Sequence, residues 1–129
     1  MKDRCKYYNP NPTKKEVGDC VVRALCKATG KDWNEVYKRL CDIGYEMKDM
    51  PNSQPCYEKF LYENGFTKVK ISNKKGSKRP TVNEMATKSE DGRAYVCQVA
   101  NHLVTAKDGY YWDIWESGDK SLYSYFTKE

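Results

Sequence analysis

The spacing of apolar residues changes along this chain, and the change limits the folds open to it. Between Asp19 and Gly65 apolar residues recur at helical intervals. Trp33, Val36, Tyr37, Leu40 and Cys41 stand at i, i+3, i+4, i+7 and i+8, the stripe of a helix with one buried face. From Ala94 to Trp115 the pattern turns strand-like, and Asp108-Gly109 joins two of the runs with a strong hairpin signal. Helices followed by a mostly antiparallel sheet predict an α+β layout with the helices packed to one side.

Local signals give the boundaries. The first 17 residues read as irregular, because residues before proline avoid the helical region and Asn9-Pro10-Asn11-Pro12 does this twice. A first helix is predicted from Asp19 or Cys20 to Thr29, stopped by Gly30. Asp32, with Glu35 three residues on, opens a second as a capping box, and Gly44 is expected to end it. Ser53-Gln54-Pro55 starts a third, closed by Asn64-Gly65. Thr67 to Ile71 alternates as a strand, Asn73 to Arg79 reads as a loop, and Thr81 with Glu84 caps a short fourth helix that Gly92 breaks. Strands are predicted over Ala94–Ala100, His102–Lys107 and Tyr110–Trp115, with one more between Leu122 and Phe126.

A chain of 129 residues forms a single domain spanning 1–129, large enough to bury a core without disulfides. Eleven tyrosines, three tryptophans and three phenylalanines exclude a disordered chain. No signal-peptide pattern and no run of roughly 20 apolar residues is present. The expectation is a cytoplasmic protein with no membrane partner. Six cysteines without a secretion signal read as thiols. Cys26, Cys41 and Cys97 fall in apolar settings where cysteine acts as a small hydrophobe. With one histidine and no Cys-x-x-Cys pair, neither a metal nor a cofactor is expected. The net charge is +5, yet Lys68, Lys70, Lys74, Lys75, Lys78 and Arg79 stand between Phe66 and Pro80 with no acid among them, so the excess is local. It reads as a solvated loop or, in the second reading, as a surface for an acidic partner or nucleic acid.

The chemistry concentrates at three points. Cys20 follows Gly18-Asp19 at a predicted helix start, where unpaired amides and the positive dipole end stabilise a thiolate. Cys56, in the first turn of the third helix, is the rival nucleophile. His102, the only histidine, opens a late strand and has the properties of a general base. If the turn at Asp108-Gly109 has two residues, Val104 faces Asp113, and Asp113 shares a face with His102 one diagonal step away. A three-residue turn would put the two on opposite faces. Cysteine, histidine and carboxylate in this order have the ingredients of a thiol hydrolase.

Gly18-Asp19-Cys20-Val21-Val22-Arg23-Ala24-Leu25, with Asn101-His102-Leu103-Val104 and Asp108-Gly109-Tyr110-Tyr111-Trp112-Asp113-Ile114-Trp115, resembles the small papain-like cysteine-peptidase proteins of phages and Gram-positive bacteria. These are related in outline to the bacteriocin-processing cysteine peptidases. The resemblance runs from about Asn9 to Phe126. It implies a papain-like fold, with Cys20 as nucleophile, His102 as base and Asp113 as the orienting acid, acting on an amide, isopeptide or related acyl bond of a protein or peptide. Phage-encoded, such a protein would act in the host cytoplasm. The alternative is a papain-like scaffold that no longer turns over and instead binds and inhibits a host system.

One position departs from the family pattern. Papain-like enzymes place a glutamine about six residues before the cysteine to complete the oxyanion hole, and here that position is Lys14. Asn11 is the candidate replacement donor, Asn9 the next, and Gln98 a further one; one such donor contributes ~2.7–4 kcal/mol of transition-state stabilisation. Asn11 also reads simply as a turn residue before Pro12. Tyr45, Met47, Met50, Tyr110, Trp112 and Trp115 line a groove or, on composition, pack the core.

Overall fold

In the computed structural model, which describes residues 3–72, 76 and 78–129, the chain runs β1 (Cys5–Tyr7), α1 (Cys20–Thr29), α2 (Trp33–Met47), α3 (Gln54–Glu63), β2 (Thr67–Lys70), α4 (Val82–Lys88), a single 3₁₀ turn (Ser89–Asp91), β3 (Tyr95–Val99), β4 (His102–Lys107), β5 (Tyr110–Asp113) and β6 (Ser124–Thr127). Six strands form one sheet in the order β1-β5-β4-β3-β6-β2. Every pairing is antiparallel except β1 on β5. The fold is α+β.

Side chains cap the starts of α2, α3 and α4. Asp32 accepts the Glu35 N–H at 2.8 Å, and Ser53 accepts from the Cys56 N–H. Thr81 and Glu84 satisfy each other's backbone reciprocally. Gly44 does not end α2. The helix continues to Met47 and stops at Lys48, a non-glycine residue with φ 57°. A Cβ on residue 44 would lie 2.8 Å from the Asp49 carbonyl oxygen. The glycine is there to let the returning chain touch the helix, with the Asp49 N–H donating to the Gly44 carbonyl.

The helices cover both faces of the sheet. Residues of α1, α2 and α3 share one core with Val96, Leu103 and Phe126, which project from one side of the strands. The alternating residues Tyr95, Cys97, Val104 and Ala106 point the other way and pack against Val82, Met85 and Ala86 of α4. The expectation of helices on one side holds for the first three and fails for the fourth. The sheet also takes an edge strand from each side of the helical segment. β1 is too short and too exposed to carry an alternating pattern, and it holds to β5 by backbone bonds, such as Tyr8 N–H to the Asp113 carbonyl at 3.0 Å. β2 seals the other edge against β6.

Two connections set the positions that follow. β3 and β4 are joined through Ala100-Asn101, with Val99 opposite His102 and Asn101 at φ 54°. β4 and β5 close on the two-residue turn Asp108-Gly109, both residues at positive φ, with Lys107 opposite Tyr110. Positive φ at both central positions is the demand of a type I′ turn, which Asp-Gly meets at low cost. Among the described residues no helix is long and apolar enough to cross a membrane.

Candidate active site

The two-residue turn decides what stands beside His102. Its register puts Asp113 on the diagonal predicted from the sequence, and the backbone ladder stops at Thr105 and Trp112. Beyond that point side chains join the two strands. His102 Nε2 lies 2.6 Å from Asp113 Oδ2. Trp115, opposite His102 by the same register, tilts against the imidazole at 4.7 Å between ring centroids. With Nε2 taken, Nδ1 is the ring nitrogen left for Cys20, which lines the same cleft and shifts the imidazole pKa upward.

Cys20 is the first residue of α1 and lies half-buried at the helix mouth. The residue ahead of it, Asp19, occupies the N-cap yet makes no cap bond with its side chain. Its carboxylate is occupied elsewhere: Oδ1 accepts from Arg23 Nη1 at 2.8 Å and Oδ2 from Trp33 Nε1 at 2.9 Å. The first-turn amides beside the sulfur are therefore not covered by their own cap, and the Cys20 N–H is a donor for an oxyanion formed there. A hydrogen bond from Thr105 Oγ1 to the Ala24 carbonyl, 2.7 Å, fastens this helix to β4.

Asp113 is 1% exposed, and both its oxygens are fully engaged. Oδ2 takes His102 and, at 3.1 Å, the Ser117 hydroxyl; Oδ1 takes the Ile114 N–H at 2.8 Å and Arg23 Nη2 at 3.0 Å. Burial alone would raise its pKa. The His102 hydrogen bond and charge, the Ile114 N–H and the Arg23 charge outweigh burial and hold the carboxyl below its ordinary range. The same balance acts on the other two groups. Burial opposes the His102 cation, but Asp113 and Cys20 push its pKa up to about 9. Burial opposes the Cys20 thiolate, but the His102 hydrogen bond, the Leu103 N–H and the charges of His102 and Arg23 bring the thiol below its ordinary 9.0. The contacts thus act toward the charged form of each group, thiolate on Cys20 and imidazolium on His102.

Cys20 and His102 open into a cleft of about 460 Å³ whose walls include Gln54, Tyr57, Gln98 and Asn101. The Gln98 amide is held in place, donating to the Tyr57 hydroxyl at 2.8 Å and accepting from Ser124. Asn11 is buried but is not among the residues lining this cleft. Its Oδ1 accepts from the Thr13 N–H and hydroxyl, at 2.9 and 2.8 Å, in a turn. Asn9 likewise donates to the Lys14 and Lys15 carbonyls. Of the amides weighed from sequence as oxyanion donors, the cleft walls hold only Gln98, with Gln54 added from the start of α3. Cys56 is fully buried in the helical core. Tyr45, Met47, Met50, Tyr110 and Trp115 are exposed rather than packed in the core.

Sequence reasoning missed Arg23 and Ser117 as partners of Asp113. Arg23 had a legible signal: it stands four residues after Asp19, the spacing of a helical ion pair, within a stretch that is otherwise apolar. In the basic segment, Lys68 is bound to Glu58 at 2.7 Å and Arg79 lies 5.1 Å from the Tyr123 ring centroid, while Lys74 and Lys75 fall outside the described residues. Among the described residues no three His, Cys, Asp or Glu side chains gather as a metal site. No family model, no curated protein and no solved structure matches this chain.

Proposed function

We propose that this protein is a thiol hydrolase of papain-like organisation, cleaving an amide, isopeptide or related acyl bond of a protein or peptide. The observation that carries the reading is the 2.6 Å contact between His102 Nε2 and Asp113, with the other ring nitrogen left for a thiol at the mouth of a helix. Chain order supports the same assignment, with the cysteine on the first helix, the histidine opening a strand and the acid on the next.

In this reaction the Cys20 thiolate attacks the acyl carbon, and the carbonyl oxygen takes up negative charge near the Cys20 N–H. His102 gives its proton to the leaving amine as the tetrahedral intermediate collapses to a thioester. A water molecule then loses a proton to the neutral His102 and attacks the thioester. The product acid leaves, and the thiolate–imidazolium pair is restored. Asp113 stays ionised throughout and keeps Nδ1 turned to the sulfur.

Competitive alkylation with iodoacetamide tests this. Cys20 is expected to react well ahead of the other five thiols, with a pH dependence set below the ordinary thiol range, and His102→Ala should suppress that advantage. Slow labelling of all six cysteines alike would contradict the hydrolase reading and favour an idle scaffold that binds a host protein.

A further inference from the structure

The mechanism makes no direct use of one buried charge, the Arg23 guanidinium. It is 3% exposed, sits one turn into α1 beyond the nucleophile, and bridges two carboxylates from different parts of the chain. Nη1 holds Asp19 at 2.8 Å and Nη2 holds Asp113 at 3.0 Å. Asp19 precedes Cys20 and Asp113 holds His102, so the guanidinium joins the residue before the nucleophile to the residue behind the base. The chain of contacts continues outward from Asp19 to the Trp33 indole.

We infer that Arg23 is a positioning residue for the Cys20–His102 pair: by clamping Asp19 to Asp113 it locks the helix that carries the sulfur to the strand end that carries the imidazole, and it divides the charge of Asp113 between two cations. The inference rests on the hydrolase reading of the site. Two physical arguments support it. The β4–β5 ladder ends before His102 and Asp113, so no backbone bond between those strands fixes their ends. A planar, two-pronged guanidinium fixes both distance and angle between the carboxylates, which a single ammonium does not. The second argument is electrostatic. A permanent cation on Asp113 weakens the pull of that carboxylate on His102 and adds a favourable charge near the thiolate.

The titratable groups that act on this cluster come from several elements. Cys20 is met by His102, Arg23 and Tyr57, and Asp113 by His102, Arg23 and Cys5. Asp19 is met by Arg23 and Cys26, and Arg23 also acts on Tyr7 of β1. Of these, only Arg23 carries a charge that no accessible pH removes.

His102 is the only histidine, so its titration by nuclear magnetic resonance is free of overlap. The test compares Asp19→Asn with Asp19→Asn/Arg23→Gln, a pair chosen because Asp19 no longer loses a charged partner in the double variant, while Asp113 keeps His102, Ser117 and the Ile114 N–H when the guanidinium is gone. Relative to the single variant, the double variant should titrate higher at His102 and show the acid limb of Cys20 alkylation moved up, each by about one pH unit. Unmoved titrations with only a lower melting temperature would make Arg23 merely structural and overturn the inference. If the double variant does not fold, Asp19→Asn/Arg23→Lys takes its place. It keeps the charge and loses the two-pronged grip, so the Cys20–His102 pair should loosen, His102 should titrate lower, and alkylation of Cys20 at neutral pH should slow about tenfold or more; an unchanged titration and rate overturn the inference. Failure of the parent reading looks different, with His102 of the unmodified protein titrating near 6.5 and Cys20 reacting like its neighbours.

Discussion

Asp113 is where the charges of the site meet, and its oxygens are divided between the base and the buried arginine. Asp113→Asn keeps the shape and removes the charge that raises His102. The imidazole pKa should fall back toward its ordinary value, and the thiolate, losing its cation, should become scarcer. The expected outcome is an alkylation rate at neutral pH lower by about tenfold or more, with the histidine resonance moving in step. Ser117→Ala removes one hydroxyl from the same carboxylate and leaves the charge intact. Its cost should stay near 1 kcal/mol of stability in chemical denaturation, with the pH profile unmoved. Cys20 and His102 were legible as residues because each stands at a boundary that its neighbours mark: a helix start after Gly18-Asp19, and a strand start before a hairpin. The tie of Arg23 to Asp113 was hidden because the two lie 90 positions apart, and only its i,i+4 pairing with Asp19 leaves a local pattern.

At the scale of elements, the hairpin carries the site. Asp108-Gly109 takes positive φ at both positions, and this turn type puts Asp113 rather than Trp112 on the His102 face. Gly109→Val should therefore cost more than the usual surface substitution, about 1–3 kcal/mol by thermal or chemical unfolding, and should disturb alkylation of Cys20 from a distance by loosening the register. Gly44 behaves differently. Its φ is ordinary, and the obstacle is the Asp49 carbonyl 2.8 Å from any added Cβ. Gly44→Ala gains helix propensity but forces that chain crossing apart, so net destabilisation is expected in spite of the better helix former. These two glycines also mark where sequence reading succeeds and where it stops. A turn type is a local property, and Asp-Gly declares it. A close approach between segments is not local, so Gly44 looked like a helix stop. β1 escaped notice for a related reason, since three residues, two of them exposed, held by backbone bonds leave no trace in side-chain pattern.

On the scale of the whole molecule, the site couples to stability through protons. His102 has a raised pKa in the folded chain, so its contribution is present below about 6.5 and lost as pH climbs toward about 9. Cys20 has a lowered pKa, so its contribution has the opposite sign: it grows as pH rises from its folded value toward 9.0. In the intact protein the two slopes oppose each other. Cys20→Ala should expose the histidine term, and the unfolding free energy from denaturant titrations should then fall with rising pH above 6.5, by at most about 1.4 kcal/mol per pH unit. The α+β class and the helix starts followed from periodicity and caps, whereas the end of α2 did not, and the placement of α4 on the opposite face depends on which side of the strands each apolar residue takes after folding. The most direct measurement is the ultraviolet thiolate absorbance of the folded protein across pH, compared with the His102→Ala variant. The account expects one thiol to ionise below the ordinary range, an early ionisation that vanishes with the histidine. A first thiol ionising in the ordinary range in the unmodified protein would contradict it.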